Sequence, residues 1–257
     1  MDALIGFSGF VGTTLLKQRH FDSLYRSTNI DEIVGQTFDT VVCAGAPAQK
    51  WLANKDPADD LQKIESLIEK LKTVTCRQFI LISTVDVFKS PVNVDEATPV
   101  DTEGLHAYGL HRYYLEQFVS QHFPDALIVR LPGLVGPGLK KNIIYDFLHN
   151  NNVEQIESRG VFQFYPMINL WYDIEIALQN QLKLLHLTAA PVSVADVAKQ
   201  GFGFDFTNHV QDRPGQYSMK SRYSHLFTAD TDYQYNRRES LMAIRAYAQS
   251  ENGKEAK

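Results

Sequence analysis

The stretch that decides the fold is Leu4-Ile5-Gly6-Phe7-Ser8-Gly9-Phe10-Val11-Gly12. An apolar run is broken by three glycines in the spacing GxxGxxG, and the helix-like segment 13–17 follows. A strand that enters a glycine turn and then a helix directs unpaired backbone N–H groups at a pyrophosphate.

The three glycines have different expected roles. Gly6 is expected to allow the sharp turn, Gly9 the approach of the phosphate, and Gly12 close packing of helix on strand. We therefore predict a dinucleotide site, with an ordinary glycine turn as the alternative. Its predicted residues are Gly6, Gly9, Phe10, Val11 and Gly12.

Outward from this turn, the first half of the chain alternates apolar runs with helical patterns. This alternation is typical of an α/β protein in which a parallel sheet is covered on both faces. The predicted strands are 3–6, 22–25, 40–44, 79–83 and 126–131. The predicted helices between them are 12–19, 58–74 and 107–123.

After residue 131 the pattern becomes less regular. Helices are predicted at 142–149, 170–180 and 194–199, the last capped by Ser193, and a strand at 184–187. The sequence thus predicts a Rossmann-like doubly wound parallel sheet with a small C-terminal substrate lobe. The expected domain bounds are 1–131 for the dinucleotide-binding domain, to which 164–188 returns, 132–163 and 189–250 for the lobe, and 251–257 for a disordered tail.

Composition narrows the class of protein. The 257 residues carry a net charge of −5, which gives no basic footprint for nucleic acid, and no apolar run approaches a membrane-spanning length. Cys43 and Cys76 have neither metal-ligand spacing nor the count of a disulfide framework. We therefore expect a cytoplasmic protein that acts on a small molecule, without metal, nucleic acid or membrane partners.

The residue about 20 positions beyond the first glycine selects the dinucleotide. In the NAD form of the motif this residue is acidic and binds the ribose hydroxyls. Here the count from Gly6 falls on Arg26, which can pair with a 2′-phosphate, with Ser27 and Thr28 as further donors. The cofactor is therefore predicted to be NADP(H) rather than NAD(H), although Arg26 as a solvated strand-end charge is the alternative.

Small residues follow the third predicted strand, in the run Cys43-Ala44-Gly45-Ala46-Pro47. Such residues let a ring or a ribose approach the backbone. Ala44, Gly45 and Ala46 are therefore predicted to line the cofactor site.

A redox site is indicated further along the chain. Thr84 stands at the end of the fourth predicted strand, and Tyr108 and Arg112 lie four residues apart at the start of a helix. Residues at i and i+4 share a helix face, so the cation can lower the pKa of the phenol and bind the cofactor ribose. A packing tyrosine is the alternative for Tyr108.

These motifs together resemble a known family. GFSGFVG at 6–12, ISTVDVF at 82–88, YGLHRYYLE at 108–116, RLPGLVGPG at 130–138 and PVSVADVA at 191–198 run in the order of an extended short-chain dehydrogenase/reductase. The chain is most similar to the dTDP-4-dehydrorhamnose reductase and NAD-dependent epimerase/dehydratase branch.

The resemblance implies roles for single residues. Thr84 would orient the substrate oxygen, Tyr108 would transfer the proton, and the backbone at Pro132-Gly133 would touch the nicotinamide. Where the family has a lysine that binds the ribose and lowers the tyrosine pKa, this chain has Arg112. Arginine keeps the charge but cannot deprotonate, so it cannot relay a proton.

The small lobe of the family binds a nucleotide-linked sugar. Asn142 and Tyr165 are candidate substrate-binding residues in this lobe, the tyrosine by stacking on a base or sugar face. Tyr113, Tyr114 and Phe118 are expected to fill the core or a helix-mediated homodimer face.

The leading hypothesis is an NADP(H)-dependent oxidoreductase acting on a carbonyl/hydroxyl carbon, with a nucleotide-linked or related sugar as its substrate. A sugar epimerase of the same family is one alternative. A non-catalytic NADP(H)-binding sensor or interaction protein, which the loss of the lysine would favour, is the other.

Overall fold

The computed structural model describes residues 1–227 and 229–252. The chain divides into two compact units. The first unit comprises Met1–Lys89, Thr98–Arg130 and Leu170–Leu185, and the second comprises Ser90–Ala97, Leu131–Asn169 and His186–Lys257. The chain thus returns to the first unit at 170–185, within the predicted 164–188. The segment Ser90–Ala97, which the sequence assigned to the dinucleotide-binding domain, instead belongs to the second unit.

A six-stranded parallel sheet with flanking helices forms the first unit, as predicted. Its strands are β1 (Asp2–Ile5), β2 (Ser23–Tyr25), β3 (Thr37–Cys43), β4 (Thr75–Thr84), β6 (Leu127–Leu131) and β10 (Leu184–His186). They stand in the order β10-β6-β4-β3-β1-β2. Since β2 and β3 lie on opposite sides of β1, the chain crossovers diverge at the carboxyl end of β1, where α/β sheets bind ligands.

Helices cover this sheet. They are α1 (Phe10–Gln18), α2 (Lys50–Lys55), α3 (Pro57–Leu71), α4 (Ala107–His122) and α6 (Leu170–Gln179). The helices α2, α3 and α4 contact one another, whereas α1 contacts α6. The sequence predicted these helices to within three residues at each end, with the exception of α2, which it missed.

Strand residues are buried on both faces of the sheet. Ala3 and Ile5 pack with Ile64 of α3 and Leu115 of α4 in one apolar cluster. Leu4, which alternates with them, has no exposed surface either. This two-sided burial explains why the strands are continuous apolar runs rather than alternating ones.

The second unit consists of short elements. Its strand pairs are β5 (Val92–Val94) with β12 (Ser218–Met219), β7 (Gly133–Val135) with β9 (Phe164–Pro166), and β8 (Val161–Phe162) with β11 (Val192–Ser193). Its helices are α5 (Ile143–His149), α7 (Val194–Asp196), which continues as a π-helical turn over Val197–Phe202, and α8 (Arg237–Asn252). Ser193 caps α7 through the backbone N–H of Asp196, as predicted.

The helix α8 corrects the prediction for the end of the chain. Residues 251 and 252 are the last turn of α8 rather than part of a disordered tail, while 253–257 lie outside the described residues. Leu241, Ile244 and Tyr247 are buried at helical spacing. The sequence did not show this helix because polar residues separate its few apolar ones.

Candidate active site

The glycine turn stands at the carboxyl end of β1, beside the end of β3. Gly6 has φ +85°, and a Cβ there would overlap the carbonyl oxygen of Ala44. A Cβ at Gly12 would overlap the carbonyl oxygen of Gly6. The packing of the protein itself therefore accounts for glycine at positions 6 and 12.

Gly9 differs from these two glycines because the protein does not crowd it. A Cβ at Gly9 would meet only the carbonyl oxygen of Gly6, at 3.4 Å, an ordinary contact distance. Gly9 is exposed and is the N-cap of α1. The first backbone N–H groups of a helix, here from Phe10 onward, have no intrahelical acceptor. A bare helix N-terminus fits the phosphate group of a dinucleotide.

Arg26 lies directly beside this turn. The backbone N–H of Gly6 donates to the carbonyl oxygen of Tyr25, at the end of β2, over 2.7 Å. The guanidinium carbon of Arg26 lies 5.7 Å from the centre of the Phe7 ring, and Arg26 Nε donates to Thr28 Oγ1 over 3.0 Å. Arg26, Ser27 and Thr28 are all exposed. The end of β2 thus presents one cation and two hydroxyls to solvent.

The small residues after β3 lie next to the turn. The backbone N–H of Ala44 donates to the carbonyl oxygen of Ile5 over 2.9 Å. A Cβ at Gly45 would stand 2.7 Å from Cγ2 of Ile5. Ala44, Gly45 and Ala46 are half-buried, and because they are small they leave the backbone beside the turn accessible.

The N-terminus of α4 is anchored against the turn that follows β4. A Cβ at Gly109 would overlap the carbonyl oxygen of Asp86, so glycine allows the helix to approach this turn closely. His106 Nδ1 accepts from the backbone N–H of Gly109 over 3.0 Å. Asn54 of α2 accepts from the backbone N–H of Tyr108 over 3.0 Å. These contacts hold the start of α4, which carries Tyr108, beside the turn that begins at Thr84.

The surroundings of Tyr108 set its protonation. Burial raises the pKa of the phenol above its usual value, and the charge of Arg112 opposes this shift. Asp86 raises the pKa further, while the hydrogen bond with Thr84 lowers it. Since the pKa lies above its ordinary value of 10.0, Tyr108 holds its proton at neutral pH.

Arg112 is buried behind Tyr108. Its side chain is 3% exposed. Nη1 and Nη2 donate to the two carboxylate oxygens of Asp60 over 2.5 and 2.9 Å, and Nη2 also donates to the carbonyl oxygen of Pro47. The terminal nitrogens of Arg112, which is predicted to bind the cofactor ribose, thus already have acceptors in the protein.

Sequence reasoning missed four side chains of this site. Asp60 also accepts from Nδ1 of the buried His111 over 2.7 Å, and Lys50 pairs with Asp86 over 2.8 Å. The missed residues are Lys50, Asp60, Asp86 and His106. A signal existed only for Asp60, because it stands one turn before Ile64 on the buried face of α3, where a carboxylate needs a partner.

The predicted site residues of the second unit take part in the packing and hydrogen bonding of that unit. A Cβ at Gly133 would lie 2.5 Å from the carbonyl oxygen of Gln163, so the pairing of β7 with β9 accounts for this glycine. Asn142 caps α5 through the N–H of Ile144. Tyr165 is fully buried in an edge contact with Tyr235, which corrects the expectation that its ring is available to stack on a ligand. Pro132 precedes β7.

Other features bear on the partner predictions. Phe118 packs against the core, Tyr113 is half-buried and Tyr114 is 45% exposed, so the homodimer face stays a prediction. Within 1–227 and 229–252, no helix has the length and apolarity needed to cross a membrane. The same residues contain no group of three or more His, Cys, Asp or Glu side chains suited to a metal ion.

Comparisons with known proteins give the fold. No protein-family model matches the chain, and no curated protein matches it. A solved dTDP-4-dehydrorhamnose reductase from Clostridium acetobutylicum matches over 98% of this chain and 100% of its own, with a TM-score of 0.73 and 16% identity. The chain has the fold of this reductase.

Other solved structures share the same fold. A UDP-galactose 4-epimerase matches with a TM-score of 0.74 and 15% identity, over 99% of each chain. RMD from Pseudomonas aeruginosa, solved in complex with NADPH, matches with a TM-score of 0.67 and 18% identity, over 97% of this chain and 99% of that one. These neighbours agree with the resemblance found in the sequence.

Proposed function

We propose that this protein is an NADP(H)-dependent oxidoreductase that acts on a carbonyl/hydroxyl carbon of a nucleotide-linked sugar. One observation carries the proposal. The glycine turn after β1, which is open at Gly9, and the Thr84–Tyr108 pair after β4 stand at the same carboxyl edge of one parallel sheet, where such sheets bind ligands. Structural neighbours named as a dTDP-4-dehydrorhamnose reductase and a UDP-galactose 4-epimerase support a sugar nucleotide as the substrate.

The cofactor site is built from the glycine turn and the end of β2. The backbone N–H groups at the start of α1 hold the pyrophosphate, and Gly9 lets it approach. Arg26 pairs with the 2′-phosphate of NADP(H), with Ser27 and Thr28 as hydrogen-bond donors. A neighbour solved with NADPH supports this choice of dinucleotide.

Thr84 and Tyr108 act on the substrate oxygen. When bound, NADPH supplies the hydride that reduces the carbonyl carbon. The Thr84 hydroxyl donates a hydrogen bond to the oxygen as its negative charge develops, and Tyr108 gives it the phenolic proton, which yields the alcohol. The raised pKa of Tyr108 suits this role, because the donor must hold its proton until the hydride arrives.

The substitution Tyr108→Phe tests the proposal. NADPH oxidation is followed by absorbance with dTDP-4-dehydrorhamnose as the probe, and the dissociation constant of NADPH is measured in parallel. We expect kcat to fall by at least about 100-fold, the usual contribution of general acid catalysis, with NADPH binding unchanged. Tyr114→Phe is the matched control, since Tyr114 is an exposed tyrosine of the same helix. Equal rates for Tyr108→Phe and the native protein would refute the catalytic role.

The likeness to UDP-galactose 4-epimerase favours one other activity. An epimerase would interconvert UDP-galactose and UDP-glucose without net consumption of NADPH, which chromatography of the products detects. A non-catalytic dinucleotide-binding protein would bind NADPH and turn over neither probe.

A further inference from the structure

Arg112 is held in one orientation by a carboxylate. Its guanidinium is a planar fork that a carboxylate binds through two parallel hydrogen bonds, and Asp60 supplies both oxygens, at 2.5 and 2.9 Å. The carbonyl oxygen of Pro47 accepts from the same Nη2, and that of Tyr108 accepts from Nη1 over 3.3 Å. Three elements of the first unit thus fix the plane of this side chain.

The guanidinium of Arg112 lies over the ring of the tyrosine. The guanidinium carbon of Arg112 lies 4.1 Å from the centre of the Tyr108 ring, well within cation–π distance. Arg112 Nε is buried and has no hydrogen-bond partner among the described residues. In the orientation that places the Arg112 guanidinium over the Tyr108 ring, Nε of Arg112 is therefore left without a hydrogen bond to the described part of the chain.

The contacts of Asp60 favour its ionised form although the side chain is buried. Its side chain is 4% exposed, and burial acts to raise its pKa. The hydrogen bonds from Arg112 and His111 outweigh that effect and hold the pKa of Asp60 below its ordinary value. A buried aspartate with two donors on successive residues of α4 ties α3 to the start of α4.

We propose that Asp60 is a positioning residue that holds the Arg112 guanidinium against the ring of Tyr108. Arg112 then acts on the tyrosine from inside the protein rather than through the cofactor ribose. This inference rests on the proposed function in one respect, the proton transfer by Tyr108.

The direction in which the pKa of Tyr108 moves when Asp60 is neutralised distinguishes two roles for Asp60. Asp60 of α3 and Asp86 after β4 oppose ionisation of the phenol, Arg112 favours it, and His106 lies 6.4 Å away between ring centres. If Asp60 only added a negative charge, its neutralisation would lower the pKa of Tyr108. If Asp60 positions Arg112, its loss releases the cation and the pKa rises.

The test compares Asp60→Asn with Asp59→Asn. Asp59 is the preceding carboxylate on α3 and pairs with Lys63 at the surface, which makes it the matched control. In nuclear magnetic resonance of the cofactor-free native protein, we expect separate Nη signals for Arg112 and a ring-current shift from Tyr108. Both should be lost in Asp60→Asn and kept in Asp59→Asn. Unchanged Arg112 signals in a folded Asp60→Asn protein would overturn the proposal.

A kinetic measurement separates positioning from a structural effect. In the pH profile of kcat, the limb that Tyr108→Phe abolishes should move upward by about one unit in Asp60→Asn, with the dissociation constant of NADPH unchanged. A downward shift would contradict the proposal. Should Asp60→Asn not fold, averaged Nη signals or a missing Arg112–Tyr108 contact in the native protein would overturn it equally. A native protein without turnover would refute the proposed function, while the resonance measurement still tests Asp60.

Discussion

The glycine turn and the start of α4 stand at the same edge of the sheet, but they depend on different kinds of contact. The turn is made by backbone groups of residues 6–12 and by the neighbouring strand β3. Arg112, at the start of α4, instead depends on Asp60 and Pro47, which are 52 and 65 positions away in the sequence. Gly6 and Gly12 of the turn leave no room for a side chain, whereas the position of Arg112 depends on partners that other elements supply.

The largest expected effect is at Gly6. Gly6→Ala introduces a Cβ at φ +85° against the carbonyl of Ala44, so we expect a loss of about 3 kcal/mol in the free energy of unfolding from strain and overlap. Urea denaturation measures this loss.

Gly9→Ala is the matched control for Gly6→Ala, because it adds the same methyl group to the same turn. Gly9 has φ −78° and space for a Cβ, so stability should fall by less than about 1 kcal/mol. NADPH binding should nevertheless weaken, because the added methyl group stands where the phosphate approaches. Strong destabilisation by Gly9→Ala, or equal NADPH binding, would remove the distinction between the two glycines.

Arg112→Lys tests the second region. Lysine keeps the positive charge, but it cannot bind both oxygens of Asp60 as a fork. We expect the free energy of unfolding to fall by about 2 kcal/mol, through lost hydrogen bonds to a charged group. Arg77→Lys is the control, since Arg77 is 81% exposed. A stable Arg112→Lys protein would mean that the buried pair is not specific for arginine.

A smaller effect is expected from the cap of α4. Burial lowers the pKa of His106, whose Nδ1 must be unprotonated to accept from Gly109. Because the folded state resists protonation, stability is present above the ordinary pKa of about 6.5 and is lost as the pH falls below it. His106→Asn, which caps at any pH, should flatten this loss by about 1 kcal/mol or less between pH 7 and pH 5.

The exposed His209 supplies the control for this measurement. His209→Asn should keep the native pH dependence of the unfolding free energy. An equal slope for the His106→Asn protein and the native protein would contradict the capping role.

The difference between local contacts and contacts of distant residues also explains which features the sequence predicts. The parallel strands and the glycine turn follow from local patterns, since the buried parts of the central strands are apolar on both faces and the glycines have fixed spacing. The partnership of Arg112 with Asp60 could not be predicted, because it depends on how α3 packs on α4. The burial of Tyr165 and the helix α8 were missed for a similar reason, since tertiary packing rather than local pattern sets them.

Calorimetric titration of the native protein with NADPH and with NADH measures the preference for the 2′-phosphate on which the proposed function depends. We expect NADPH to bind at least about 10-fold more tightly, because Arg26 forms a charge-assisted pair with the 2′-phosphate, and we expect Arg26→Glu to remove the difference. Equal affinity for both dinucleotides, or no binding of either, would contradict the proposed preference.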